Sequence, residues 1–289
     1  MKKNRMNWNY LLIAPSLLIS FSVILIPGIL TIVTSLTDWN GISPKINFIG
    51  IRNFLELFSD KVFFIAIRNN VTWALLFLTI PVCIGMLVAM FLLGRKKTRS
   101  IYQIAFIIPY VLSPIANAMI WENMIFSPLF GLVGYLRNLG IDISSPLASM
   151  QSAIYACAGV DIWHYWSYLT IIYLAALRQT PTEQLESARL DGCNGWQLFR
   201  YIYFPSIRAT VNLMFVMIVI GSFLSFDYVK LLTGGGPAHS SEVLGTYAYS
   251  LAFDSMKVGK AAAAGLVMSF FGLIASIFYA RLSRKETME

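Results

Sequence analysis

The chain has 289 residues, of which 57% are hydrophobic and only 12% charged, with a formal net charge of +8. Its mean hydropathy is +0.66. A soluble domain carries about 25% charged residues, so these values exclude an ordinary water-soluble domain and identify an integral membrane protein.

The apolar residues fall in six blocks, at approximately 11–36, 71–93, 101–126, 153–177, 209–232 and 261–281. Each reaches the ~20 residues that a bilayer-spanning helix needs, and they are expected as TM1 to TM6. Residues 1–10 carry the basic start MKKNRMN. The apolar run that follows is far longer than the ~7–15-residue core of a signal peptide, so it reads as a retained first span. The connection at 37–70 contains an amphipathic piece around Phe54–Phe64. That piece either lies along the membrane surface or is an ordinary loop helix. GRKKTRS (94–100) lies between two spans and reads as a topology anchor at anionic headgroups rather than a nucleic-acid site.

Pro15, Pro27, Pro81, Pro109 and Pro114 sit inside or beside spans, where prolines mark kinks whose freed carbonyls neighbouring helices satisfy. Residues 122–152 form a second connection, with Pro128, Gly131, Gly134 and Pro146 as breakers. In the fourth block, VDIWHYWSY holds Asp161 and His164 amid Trp163, Tyr165, Trp166 and Tyr168. This cluster is expected as an interfacial aromatic belt, in preference to a metal or acid–base pair. The third connection, 233–258, opens with TGGGP. Gly234, Gly235, Gly236 and Pro237 are expected as a flexible loop at the outer mouth, a docking place for an external protein or a plain linker. Cys83, Cys157 and Cys193 lack metal-ligand spacing and read as packing residues. No metal or cofactor is expected.

With the N-terminus inside, the inner segments hold 14 of the 22 Lys and Arg residues, including Lys2, Lys3, Arg5, Arg95, Lys96, Lys97 and Arg99. The positive-inside rule therefore places both termini and the segment 178–208 in the cytoplasm, with 282–289 as a tail. The net charge reports topology, not nucleic-acid binding.

The segment 178–208 contains TPTEQLESARLDGCNGWQLFRYIYFP (180–205). Thr180 is placed as an N-cap, Pro181 at the first helical position and Glu183 at the third, a capping box with a pre-set first turn. The helix stops at Asp191-Gly192, where glycine tolerates the left-handed conformation. Asn194 with Gln197 starts a second helix, whose Trp196, Phe199 and Tyr203 share a face until Pro205 ends it. Two capped helices around a glycine corner suit docking into a groove on a partner, against the plainer reading of a solvating loop.

Here the sequence resembles a known family. Glu186-Ser187-Ala188-x-x-Asp191-Gly192, then Ile202 and Pro205, is similar to the E-A-A-x-x-x-G-x(9)-I-x-L-P signature of bacterial ABC-importer permeases. FIGIRNF (48–54), FIIPYVLSPI (106–115), LLTGGGP (231–237), TYAYSLAF (246–253) and GKAAAAG (259–265) resemble elements of the maltose-type branch, which imports sugars and glycerol phosphates. Ser187 and Phe204 depart from the usual alanine and leucine. The resemblance implies an all-α, six-span type I importer permease, with residues 71–281 as its transmembrane domain. It implies that Glu186, Ala188, Asp191 and Gly192 dock a separate ATP-binding subunit. The implied partners are a second homologous permease, two ATP-binding cassette subunits, an extracytoplasmic solute-binding protein and the lipid bilayer of the bacterial inner membrane.

No G-x-x-x-x-G-K-[ST] stretch is present; such a loop is needed to cradle nucleotide phosphates. The energy is expected from a partner, and the chain is not expected to be an enzyme. The rival class is a self-contained ion-coupled carrier or an intramembrane enzyme.

Overall fold

The structure, a computed structural model, describes residues 8–95 and 97–286, with side chains from 13 to 281 except 96. The expected inner charges Lys2, Lys3, Arg5 and Lys96, the side chains of Arg284 and Lys285, and residues 287–289 of the tail lie outside this description. Among the described residues the chain is helical throughout, with one isolated bridge between Thr37 and Phe48 and no strands. Lipid offers no hydrogen-bonding partner, so a spanning segment must satisfy its own backbone; the helix does this within a single stretch.

The helices in chain order are α1 (Trp8–Ser20), α2 (Ile26–Ser35), α3 (Arg52–Phe58), α4 (Lys61–Gly94), α5 (Arg99–Val111), α6 (Pro114–Ile120) and α7 (Leu132–Asn138). They continue with α8 (Ala153–Leu177), α9 (Thr182–Leu190), α10 (Gly195–Leu198), α11 (Phe204–Phe223), α12 (Asp227–Leu232), α13 (Leu244–Tyr249) and α14 (Val258–Glu286). Wider π turns at Phe21–Leu25, Trp121–Phe126, Phe199–Tyr203 and Ser250–Asp254 are set into or between them.

Among the described residues, four helices are long and apolar enough to cross a membrane: Ile13–Ser35, Lys61–Gly94, Gly195–Leu232 and Val258–Arg281. A fifth arises if Arg99–Val111 and Pro114–Phe126 are one span, and these two are bent by 92°. The apolar block at 101–126 is thus broken at Leu112 and Ser113 rather than continuous. Pro114 lacks the N–H that would bond the Tyr110 carbonyl, and a residue before proline avoids helical backbone; Ser113 is extended, with φ −64° and ψ 150°. Helix α8 has the length, about 38 Å at ~1.5 Å per residue, but its Asp161–Ser167 stretch is polar. It is surrounded by protein, packing on α4, α5, α11 and α12, which is where ionisable side chains in a span are tolerated.

The chain divides into two compact units. The first comprises residues 1–60 and 248–267. In it, Asn53 donates to the carbonyls of Ser35 and Thr37, both at 2.8 Å, and the Gly259 amide bonds the Trp39 carbonyl at 2.9 Å. The stretch expected as one amphipathic piece around Phe54–Phe64 is instead the end of α3, a break at Ser59 and Asp60, and the first turn of α4.

The second unit comprises residues 61–247 and 268–289 and holds the main core, built around Trp73, Phe77, Leu169, Tyr173, Leu177 and Ile218. Helices α4 and α8 approach closely at Gly85: a Cβ placed there would stand 2.9 Å from the Leu169 Cβ and 3.2 Å from the Thr170 amide. Two adjacent asparagines on α4 organise its upper part. Asn70 donates to the Ser222 carbonyl at 2.6 Å and accepts from the Leu244 amide at 2.8 Å. Asn69 donates to the carbonyls of Ser240 and Glu242, both at 2.8 Å.

Candidate functional site

Two features of the second unit carry functional chemistry, a surface corner and an internal cavity.

The corner is formed by α9 and α10. Helix α9 ends in a paired motif: Gly192, with φ +78°, donates to the Arg189 carbonyl at 3.1 Å, and Cys193 donates to the Ala188 carbonyl at 3.0 Å. Only a residue without a side-chain clash takes that backbone readily. Helix α10 then opens with a reciprocal cap. The Asn194 side chain accepts from the Gln197 amide at 2.9 Å, and Gln197 accepts from the Asn194 amide at 2.8 Å. Glu186, Asp191 and Gly192 lie on the surface. Beside them Leu190 is 90% and Trp196 70% exposed, an unusual display of apolar surface.

Four expectations at this corner need correction. Thr180 is not the N-cap of α9; it is buried and shares a 3.3 Å hydrogen bond with Ser206. Pro181 is the cap residue, without a side-chain bond, and α9 begins at Thr182. The expected Thr180–Glu183 capping box is therefore absent, because the threonine hydroxyl ties the two arms of the corner together. Ala188 is buried within the chain, unlike Glu186, Asp191 and Gly192 beside it. Pro205 does not end the second helix; Gly195–Leu232 is apolar and helical enough to count as one span. The π turn Phe199–Tyr203, with the Phe204 amide bonded to the Phe199 carbonyl, widens the helix ahead of the proline. Trp196 keeps its ring contact with Phe199 at 5.7 Å and is itself exposed, while Phe199 and Tyr203 pack on the core.

The TGGGP loop is tied down rather than slack. Gly234 donates to the Val229 carbonyl at 2.8 Å, and the Thr233 and Ser241 hydroxyls meet at 2.8 Å. Ser241 also donates to Gly236, next to a cis Gly236–Pro237 bond, while buried Glu242 bonds His239 at 2.8 Å. Gly235, with φ +94°, leaves room for that glutamate. These bonds, with the Asn69 clamp, hold a backbone that composition alone presents as flexible.

The cavity has a volume of about 390 Å³, within the ~300–1,000 Å³ range of small-molecule pockets. Its walls are Trp73 and Phe77 from α4, Tyr110 and Pro114 from the bend, and Asp161, His164 and Tyr165 from α8. The end of α11 and the start of α12 add Ser222, Ser225, Asp227 and Tyr228. Asp161 and His164 approach to 4.0 Å, and the His164 ring lies against the Tyr110 ring at 5.2 Å. Asn117 donates to the Tyr228 hydroxyl at 2.9 Å, which leaves that hydroxyl its own proton.

The residues expected as an aromatic belt pack on neighbouring helices, and of them Asp161, His164 and Tyr165 reach the cavity wall. Tyr165 packs on Phe77 with ring centroids 5.5 Å apart, Tyr168 on Tyr110 at 5.2 Å, Trp163 on Trp121 at 5.8 Å and Trp166 on Phe106 at 5.9 Å. Asp161, His164, Tyr165 and Tyr168 follow the i, i+3, i+4, i+7 pattern of one helix face, a signal that points inward. Asn69, Asn70, Trp73 and Asp227 were not singled out by sequence; the paired asparagines in an apolar block were the available sign. No group of three or more His, Cys, Asp or Glu side chains gathers among the described residues in a way that could hold a metal ion.

Residues 81–287 match the family model of the binding-protein-dependent transport system inner membrane component. The chain belongs to this family. It is 30% identical over 278 residues, 95% of both chains, to a probable ABC transporter permease of Pyrococcus horikoshii. It is 29% identical to the probable starch degradation products transport permease AmyD of Thermoanaerobacterium thermosulfurigenes, covering 98% of this chain and 96% of that one. Among solved structures, a bacterial ABC transporter involved in importing the acidic polysaccharide alginate aligns with TM-score 0.82 and 25% identity, over 96% of this chain and 94% of the other. The protein is a multi-pass, all-helical ABC permease subunit.

Proposed function

We propose that the chain forms half of the translocation path of an ATP-driven carbohydrate importer and transmits the power stroke of a partner subunit. The observation that carries this reading is the surface corner. A short helix, stopped by a left-handed glycine and followed at once by a reciprocally capped second helix, presents Glu186, Asp191, Leu190 and Trp196 outward. A fixed shape with exposed apolar and acidic groups suits seating in a cleft of another protein. The second helix continues through the π turn into α11, which runs to Phe223 and lines the cavity with its last turns, so a push on the corner moves a wall of the cavity.

In this reading two ATP-binding cassette subunits sit under the corner of this chain and the equivalent corner of a second permease, with both termini and residues 178–208 in the cytoplasm. The helix Ala153–Leu177 is the sixth span. An extracytoplasmic solute-binding protein docks on the opposite side, where the tied TGGGP loop supplies a fixed surface. Nucleotide drives transport only by favouring one arrangement of the spans over the other. A carbohydrate cargo is supported by the relatives named for starch products, diacetylchitobiose and multiple sugars, and by a cavity whose aromatic faces and polar edges suit sugar rings. Glycerol phosphate, the cargo named for a further relative, remains within the class at this level.

Cysteine placed at position 186 tests the reading. It is expected to crosslink to an ATP-hydrolysing subunit of the purified complex and to react with impermeant reagents only from the cytoplasmic side. Absence of that crosslink, or labelling from outside, overturns it.

A further inference from the structure

The charge of the cavity narrows the cargo. Two carboxylates, Asp161 and Asp227, line it, and no lysine or arginine does. Lys230, one turn beyond Asp227 on α12, is not part of the lining. The remaining polar side-chain groups are hydroxyls of serine and tyrosine, the Trp73 N–H and the His164 ring, which lies against Tyr110. The apolar surface is aromatic, with Trp73 and Phe77 stacked at 5.7 Å and Tyr110 and Tyr165 beside them.

An ionised carboxylate only accepts hydrogen bonds, through two oxygens, and its bonds to hydroxyl donors are short and strong. Adjacent hydroxyls of a sugar ring match that demand, and the ring's C–H face matches an aromatic wall. A uronate or phosphate brings a like charge toward these carboxylates instead, and Coulomb repulsion opposes its approach. No cation on the lining offsets it.

We infer that this cavity takes neutral saccharides and rejects those bearing a carboxylate or phosphate, with Asp161 and Asp227 as the residues that set the selection. The inference rests on the reading of the cavity as part of the solute path. It separates this chain from the alginate importer whose fold it shares, since that protein's cargo is acidic, and it removes glycerol phosphate from the class.

The test uses the complete permease–ATPase complex in lipid nanodiscs without a binding protein, because a binding protein would impose its own filter. The probes are trigalacturonate and its neutral methyl ester, two molecules of one ring stereochemistry that differ in charge. Saturation-transfer NMR is expected to report the ester and to show trigalacturonate bound on the order of tenfold more weakly, or less. The double variant Asp161→Asn with Asp227→Asn is expected to bring the two signals together, whereas the charge-preserving Asp161→Glu keeps them apart. Equal binding by the unmodified complex, or a difference that survives the double variant, overturns the inference and leaves the solute-path reading standing. If neither probe binds any of these proteins, the reading of the cavity falls, and the selection with it.

Discussion

The His164 ring lies against the Tyr110 ring, with centroids 5.2 Å apart and planes tilted by 39°. The contact joins α8 to the place where α5 and α6 turn through 92°, a turn forced by Pro114, which lacks the amide that would bond the Tyr110 carbonyl. The same bend brings Tyr110 and Pro114 to the cavity wall, so the contact shapes the cavity as well as holding the bend.

Replacing His164 with Leu removes this ring contact, which is worth about 0.5–1.5 kcal/mol for an aromatic pair. The expected outcome is a lower melting temperature of the purified complex in detergent. Phenylalanine, which restores a ring, should recover part of the loss. Equal stability of His164→Leu and the parent would show that the ring contact does not support the bend.

Asn70 joins three segments of chain, with its amide on the Ser222 carbonyl and its oxygen on the Leu244 amide. Asn70→Leu fills similar space and cancels these bonds, leaving the buried Leu244 amide unpaired while the Ser222 carbonyl keeps the Ser225 hydroxyl at 2.9 Å. A loss of about 1–3 kcal/mol is expected, read as a fall in the unfolding midpoint, with faster protease cleavage between 233 and 243.

At Gly192, φ is +78°, a conformation that costs an ordinary L-residue roughly 1–2 kcal/mol. Gly192→Val should insert normally yet lose uptake, because the corner no longer presents Glu186 and Trp196 in fixed relation. Gly192→Asn, which tolerates the left-handed region, should retain much of it. Vesicle transport assays on matched protein levels distinguish the two; equal activity of the valine and asparagine variants would remove shape from the account.

Gly85 lies where α4 and α8 touch most closely. A leucine there must push the helices apart at Leu169, and overpacking of this kind costs about 1–3 kcal/mol or more. Gly85→Leu is expected to reduce the amount of folded protein recovered from membranes, with Gly85→Ala between it and the parent. Undiminished recovery of the leucine variant would mean that α8 shifts freely.

The amino-acid sequence by itself determined membrane embedding, the helical class and the corner at Gly192. Each of these follows from local rules: twenty-residue apolar runs must be helical in lipid, and a glycine between capped segments stops a helix wherever it occurs. The Asn194 cap was legible for the same reason, since its bond closes within three residues. The tertiary structure decided the rest. Thr180 read as a cap until Ser206, 26 positions away, claimed its hydroxyl. Pro205 read as a stop until a π turn absorbed it. The ring of residues around Asp161 read as a surface belt because composition cannot tell lipid headgroups from a protein-lined cavity. Only the packing of α4, α11 and α12 around α8 turns that face inward, and long-range contacts of this kind leave no periodic mark in the sequence beyond the face itself.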